Sequence, residues 1–257
     1  GALTFDPHPK KVLQSKIPFR QIYDNESKWE FMRNAGLDAC FVVPFTMKFA
    51  GISPTEFIEK LFNFADLKKI IVGYDFNFGK ARQGTASLLK KEAEKRGIDF
   101  LQMSAVQKDN ITVSSTMIRR LLFEGDFAYV KKYLGRPWSV NGIIREGNKL
   151  GHNLGFPTIN LEPTVSLPLK KGVYACQVDL DGKIYNGVSN IGVKPTFGGE
   201  QLKVEMNIFD FNQDIYGRFV RVIPQKFIRE EIKFNSVDEL KHQISKDAKI
   251  AANFYKK

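Results

Sequence analysis

From residue 3 to residue 134, short apolar runs alternate with stretches whose apolar positions recur every three or four residues. Runs at 2–5, 39–45, 69–73 and 98–103 predict strands, and 39–45 contains no polar residue. Helices are predicted over 26–35, from Ser53-Pro54 to about 64, over 85–96 up to Gly97, and over 114–124 and 126–134. Ser53 offers a capping oxygen, and Pro54 has the preset φ that suits a first helical position. Apolar strands alternating with amphipathic helices are the pattern of a parallel sheet with crossover helices. After Gly135-Arg136-Pro137 the period changes to two. Tyr174, Cys176, Val178 and Leu180 share one side of 173–180, and Asp181-Gly182 follows as a two-residue hairpin signal into a strand over 183–188. Leu202, Val204, Met206 and Ile208 share one side of 202–210, and 218–223 reads as a further strand. This is an antiparallel barrel or sandwich pattern. Ser236-Val-Asp-Glu239 has the form of a capping box. It opens a last helix with an apolar stripe of Val237, Leu240, Ile244, Ala248 and Ala251, with Phe254 beyond. The change of rhythm sets a domain boundary between residues 134 and 135.

Composition narrows the class. A chain of 257 residues, 43% hydrophobic and 26% charged, has enough apolar material for a core and excludes wholesale disorder. Its longest apolar runs fall far short of the roughly 20 residues a membrane span needs. No signal-peptide pattern stands at the start. Cys40 and Cys176 sit far apart in strand-like runs, which argues against a disulfide framework or structural zinc and for a reducing cytoplasm. The net charge of +11 is spread over both halves and fits anionic ligands such as nucleotides about as well as nucleic acid. His8, His152 and His242 show no metal-ligand spacing. Trp29 and Trp138 have no regularly spaced aromatic partners for stacking bases.

Four segments carry candidate chemistry. Gly147, Gly151 and Gly155 recur every four residues beside Lys149. Such a loop lets backbone N–H groups approach and cradle phosphate, with Lys149 as a point charge. The same spacing fits a tight loop before an edge strand. No Gly-x4-Gly-Lys-Ser/Thr loop occurs anywhere in the chain. Thr158 and Asn160, two apart on an extended segment, face one side. A hydroxyl and an amide oxygen there suit Mg²⁺, a hard cation. Glu205 lies on the side of its strand opposite the apolar stripe, beside Lys203 and Asn207. It is either a solvated glutamate or a general base in a cleft, and the pattern leaves both open. The loop 73–79, with Asp75, follows a predicted parallel strand, where open α/β sheets bind ligands. Ser114, Ser115 and Thr116 stand at a predicted helix N-terminus with Arg119 one turn on. That is an anion site or an ordinary serine cap.

Together these segments resemble a known family. Gly155-Phe-Pro-Thr-Ile-Asn160 is similar to the Pro-Thr-Ala-Asn signature of riboflavin kinases, with Ile159 in place of alanine. Asn190-Ile-Gly-Val-Lys-Pro-Thr-Phe-Gly198, Glu205 within Val-Glu-Met-Asn-Ile-Phe-Asp-Phe, and Phe227-Ile-Arg-Glu-Glu-Ile-Lys-Phe234 match the same family. With Thr4-Phe-Asp-Pro-His-Pro9, 73–79 and 113–119, nearly the whole chain resembles the bacterial bifunctional riboflavin kinase/FMN adenylyltransferase, or FAD synthetase, family. The resemblance implies an α/β plus all-β fold. A Rossmann-like nucleotidyltransferase sheet over 1–134 would precede a six-stranded Greek-key β-barrel with a terminal helix over 135–257. It implies ATP and riboflavin or FMN as substrates and Mg²⁺ as cofactor, with no membrane and no nucleic acid as partner. Thr158 and Asn160 would hold the metal and Glu205 would be the catalytic base. Gly147, Lys149, Gly151 and Gly155 would bind ATP phosphates, and Arg229 would lie near the flavin. Asp75, Ser114, Ser115, Thr116 and Arg119 would serve the adenylyltransferase nucleotide site. One departure is expected to matter. The family's first strand leads into a His-x-Gly-His turn, and this chain has neither. The resemblance therefore implies an N-terminally incomplete module with impaired adenylyl transfer, bifunctional in its complete form. A basic RNA-binding barrel with a vestigial nucleotide-binding module is the alternative.

Overall fold

The computed structural model describes residues 1–16, 19–146, 156–163, 165–196 and 199–256. Its contacts divide the chain into two units. The first comprises Gly1–Phe19 and Trp29–Val113, the second Arg20–Lys28 and Ser114–Lys257.

In the first unit, β1 (Ala2–Asp6) pairs in parallel with β2 (Cys40–Pro44), and β3 (Lys69–Val72) in parallel with β6 (Asp99–Gln102). The helices here are α1 (Pro9–Leu13), α3 (Met47–Ala50), α4 (Pro54–Phe64) and α5 (Ala86–Glu94); α2 (Asn25–Asn34) spans the division between the units. Short antiparallel pairs join β4 (Asn77–Phe78) to β5 (Gly84–Thr85) and β7 (Gln107–Lys108) to β8 (Ile111–Thr112). The expected cap is present: Ser53 Oγ accepts from the Glu56 N–H at 3.1 Å. Phe57 and Ile58 of α4 and Leu89 and Ala93 of α5 bury against Ile70 and Val72 of β3. That burial covers one side of the β3–β6 pair. The register partners Ile71 and Leu101 lie on the other side and are exposed. An apolar run is therefore not buried on both faces here: among the described residues, helices pack on one face only.

The second unit contains α6 (Ser115–Glu124) and α7 (Phe127–Leu134). Sequence rhythm groups these helices with the α/β half, but they pack with the strands C-terminal to them. The Phe127 ring packs edge-on against Tyr174 at 6.0 Å. Six strands then close a barrel: β9 (Val140–Arg145), β10 (Ile159–Leu161), β11 (Gly172–Leu180), β12 (Lys183–Thr196), β13 (Gly199–Ile208) and β14 (Phe219–Arg229). Around it the order is β10-β13-β12-β11-β14-β9, with every pairing antiparallel. Strand β14 returns beside β11 after the β11-β12-β13 meander, which is Greek-key topology. The expected hairpin forms at Asp181-Gly182, with φ of 52° and 82°, the positive pair a tight two-residue turn requires. Tyr174, Cys176, Val178, Ile191, Val204, Met206, Leu161 and Ile144 fill the interior.

The last helix, α8 (Val237–Tyr255), lies against the barrel's outer face. Ala251 is buried there with Val173, Ala175 and Val188, and Ala248 and Phe254 pack alongside. Val237, placed on the apolar stripe by sequence, is exposed. Ser236 Oγ accepts from the Glu239 N–H at 3.1 Å, while Glu239 Oε2 accepts from the Asn235 N–H at 2.9 Å. The reciprocal arm of the capping box thus lands one residue earlier than the motif suggests.

Candidate functional site

Barrel register gathers the site. Asn160 stands opposite Glu205, Glu205 opposite Asn190, Asn190 opposite Val173, and Val173 opposite Arg229. Directly opposed residues share a side of the sheet. One row across five strands therefore puts Asn160, Glu205, Asn190 and Arg229 on the outer side, where Val173 packs on α8. The neighbouring row, Ile144, Leu161, Val204 and Ile191, faces the core.

A cavity of about 560 Å³ opens between this outer face and α8. Thr158, Glu205, Asn190, Asn207 and Arg229 line it from the barrel, Phe156 and Phe234 supply rings, and Leu240, Ile244 and Asp247 face it from α8. A second cavity, of about 500 Å³, is lined by Thr158, Asn160, Met206 and the 211–216 segment. Thr158 is common to both.

Asn207 Nδ2 donates to the Pro157 carbonyl at 2.7 Å, so β13 holds the backbone of the Phe-Pro-Thr-Ile-Asn segment. Lys203 forms an ion pair with Glu205 Oε1 on the cavity wall. Asn160 is buried, and among the described residues its Oδ1 has no hydrogen-bond partner. A buried acceptor without a donor needs an explanation, and a hard cation is one. The donor set of Thr158 and Asn160 fits Mg²⁺ on that ground. Among the described residues no group of three or more His, Cys, Asp or Glu is placed to hold a metal.

The guanidinium of Arg229 is engaged. Its Nε donates to both carboxylate oxygens of Asp247 at 3.0 Å and its Nη2 to Oδ2 at 2.6 Å. Gly172, opposite the end of β14, lets the strands approach. At its φ of +149°, a Cβ would fall 2.2 Å from the Arg229 carbonyl oxygen.

The structure thus brings Thr158, Asn160, Glu205 and Arg229 into one neighbourhood. Gly147, Lys149, Gly151 and Gly155 lie outside the described residues. Asp75 lies in the first unit, exposed in the loop after β3, its carbonyl accepting from Asn77 Nδ2 at 2.8 Å. Ser114 lies in the second unit, where its Oγ caps α6 by accepting from the Met117 N–H at 3.2 Å. Ser115 and Thr116 are exposed in the same turn. Arg119 Nε donates to the Arg20 carbonyl at 2.8 Å, and burial lowers the pKa of its guanidinium. Sequence reasoning missed the cavity roles of Asn190, Asn207 and Asp247. The segments of Asn190 and Asn207 carried a signal through their motifs, and Asp247 carried none.

A closed Greek-key barrel with a cavity under its terminal helix, lined by apolar side chains and a few polar ones, joined to a parallel α/β unit, defines the class as a two-part protein. Family models match both parts: riboflavin kinase over residues 134–255 and FAD synthetase over residues 1–117. The bifunctional riboflavin kinase/FMN adenylyltransferase of Bacillus subtilis is 37% identical over 99% of this chain and 82% of its own length. That of Escherichia coli K12 is 34% identical over 98% and 82%. The solved structure of a macrolide-efflux protein from Streptococcus pneumoniae matches with a TM-score of 0.79 at 31% identity, over 98% of this chain and 82% of that one. Among the described residues, no helix is long and apolar enough to cross a membrane. The chain belongs to the bifunctional riboflavin kinase/FMN adenylyltransferase family.

Proposed function

We propose that residues 135–257 phosphorylate riboflavin to FMN with ATP, and that residues 1–134 belong to the module that adenylylates FMN to FAD. The observation that carries the kinase reading is the cross-strand row that sets Glu205 beside Asn160, with Thr158 on the wall shared by two cavities. Two substrates need two adjoining spaces. The cavity under α8, with Phe156, Phe234, Leu240 and Ile244, suits a flat, largely apolar flavin ring. Asn190 and Asn207 offer donors and acceptors to the hydroxyls of the ribityl chain. The adjoining cavity takes the nucleotide.

Glu205 accepts the proton of the terminal ribityl hydroxyl. That oxygen forms a bond to the γ-phosphorus, the bond to the β-phosphate oxygen breaks, and ADP leaves. Lys203, paired with Glu205, holds the carboxylate on the cavity wall. Thr158 and Asn160 would hold Mg²⁺, which when bound neutralises charge on the phosphates. The rest of catalysis is positioning: the Asn207 bond to Pro157 keeps Thr158 and Asn160 in register with Glu205.

Asp75, in the first unit, is our candidate for the adenylyltransferase nucleotide site, while Ser114, Ser115, Thr116 and Arg119 belong to the second unit. The RNA-binding barrel finds no support in the matched families. Incubation with riboflavin, MgATP and, separately, FMN, followed by chromatography of the flavins, tests both activities. FMN formed from riboflavin is the expected result for the barrel, and unchanged riboflavin would overturn the reading.

A further inference from the structure

We propose that Asp247 is a positioning residue for the flavin side of the cavity, acting through Arg229; the inference rests on the kinase reading above. Arg229 ends β14, and the chain beyond it, through Glu231 to Phe234, forms a wall of the cavity. Its guanidinium ties three pieces together. Nε and Nη2 grip the Asp247 carboxylate on α8, Nη1 donates to the Glu230 carbonyl at 2.8 Å, and its carbon lies 6.0 Å from the centre of the Phe234 ring. Asp247 is itself held, since Gln243 Nε2 donates to its Oδ1 at 2.8 Å one helical turn earlier.

Packing alone does not account for the pair. Helix α8 is already seated on the barrel by Ala248, Ala251 and Phe254, beyond the pair toward the C-terminus. Asp247 is 3% exposed yet lies on the cavity wall, so its carboxylate is kept at a costly location. A guanidinium has five N–H donors in a rigid fork. Among the described residues, Nε, one hydrogen of Nη2 and one of Nη1 are used, which leaves two in the plane that Asp247 fixes. Paired donors of this kind can meet the carbonyl and ring-nitrogen acceptors at the edge of a flat heteroaromatic ring. Asp247 therefore sets both the direction of those two donors and the position of the Phe234 wall.

The test is a double-mutant cycle on the full chain, read as separate KM values for riboflavin and ATP, with riboflavin fluorescence quenching as a direct binding signal. Asp247→Asn is expected to raise KM for riboflavin about tenfold and to leave KM for ATP within about twofold. Arg229→Lys should do the same, and the double variant should be no worse than either single one. Additive effects, or equal losses for both substrates, would overturn the proposal. Gln243→Leu removes only the supporting bond and keeps the ion pair, so it serves if Asp247→Asn does not fold. It should raise KM for riboflavin alone by a few fold, and an unchanged value overturns the proposal. If the unmodified chain neither quenches nor phosphorylates riboflavin, the kinase reading itself falls, and this inference with it. If it does both and the variants match it, only the role of Asp247 fails.

Discussion

At the scale of single residues, the proposed phosphorylation depends most on Glu205. Alternation along its strand places it on the polar side, and the structure puts it on the wall of a cavity. Its neighbours are not legible in the same way. Asn190 is the register partner of Glu205 across the β12–β13 hairpin, and Asn160 is its partner on β10, far away in sequence, a pairing set by closure of the barrel. Asp247 is invisible for a different reason: one acid on a charged helix has no pattern until the helix docks. Glu205→Gln keeps size and shape while removing the basic oxygen. Turnover of riboflavin to FMN should fall by roughly 10²–10⁴ with riboflavin fluorescence quenching retained. Near-normal turnover would remove Glu205 from the mechanism. Cys176 makes the opposite point, that a nucleophilic side chain can be wholly structural. Its Sγ sits 2.9 Å from Ser189 Oγ in the barrel interior, and burial pushes the thiol up to about 12. A thiol raised in the folded state contributes stability that is intact below its unfolded pKa of about 8.5 and is lost as pH rises toward the folded value. Denaturant midpoints should therefore decline from about pH 8.5 upward. Iodoacetamide at pH 8 should modify at most the half-buried Cys40 in the folded chain. Two adducts by intact mass would show that the interior opens.

At the scale of elements, local signals are reliable where they are chemical and weak where they are geometric. The Ser53-Pro54 start, the Asp181-Gly182 turn and the Ser236 cap all form where their residue types place them, because each satisfies a specific backbone group. Strand ends are harder to read. Pattern reading stops β14 at Ile223, yet the strand runs to Arg229. Pro224 stands opposite Cys176 next to a register shift, and a bulge absorbs the missing donor. Without that continuation Arg229 could not reach the row of site residues. Strands β9 and β10 are short and carry no long alternation, so they emerge only as closing members of the barrel. Gly172 shows how an element end controls the site. Gly172→Ala drives a methyl group into the Arg229 carbonyl and, 2.9 Å away, the Phe227 ring, at a φ that disfavours side chains. The expected loss is about 3 kcal/mol or more by chemical denaturation. Riboflavin affinity should weaken with it, because the displaced atom belongs to Arg229. Unchanged affinity in the folded variant would show that the end of β14 does not set the flavin wall.

At the scale of the whole molecule, the residues proposed for riboflavin phosphorylation all lie in the second unit, although sequence rhythm splits the chain at residue 134. The change from helical to alternating rhythm marks where the barrel strands begin. It does not mark where contacts change, because α6 and α7 look like the α/β half in sequence and pack with the barrel in space. No one-dimensional pattern reports which neighbour an amphipathic helix chooses. The division has a measurable consequence. A ligand that binds only the folded form of one unit stabilises that unit by mass action, by about 2.7 kcal/mol at a hundred times its dissociation constant. Amides that exchange only when the second unit opens should then slow about a hundredfold with saturating riboflavin. These amides are expected in β11, β12, β13 and the middle of α8, whose residues wall the cavity. Amides of β3 and β6 in the first unit should keep their rates, since none of the proposed riboflavin contacts lies there. Hydrogen exchange read by mass spectrometry separates the outcomes. Protection confined to the barrel and α8 supports a self-contained kinase site. Equal protection of β3 and β6 would mean that riboflavin also binds the first unit or that the two units open together.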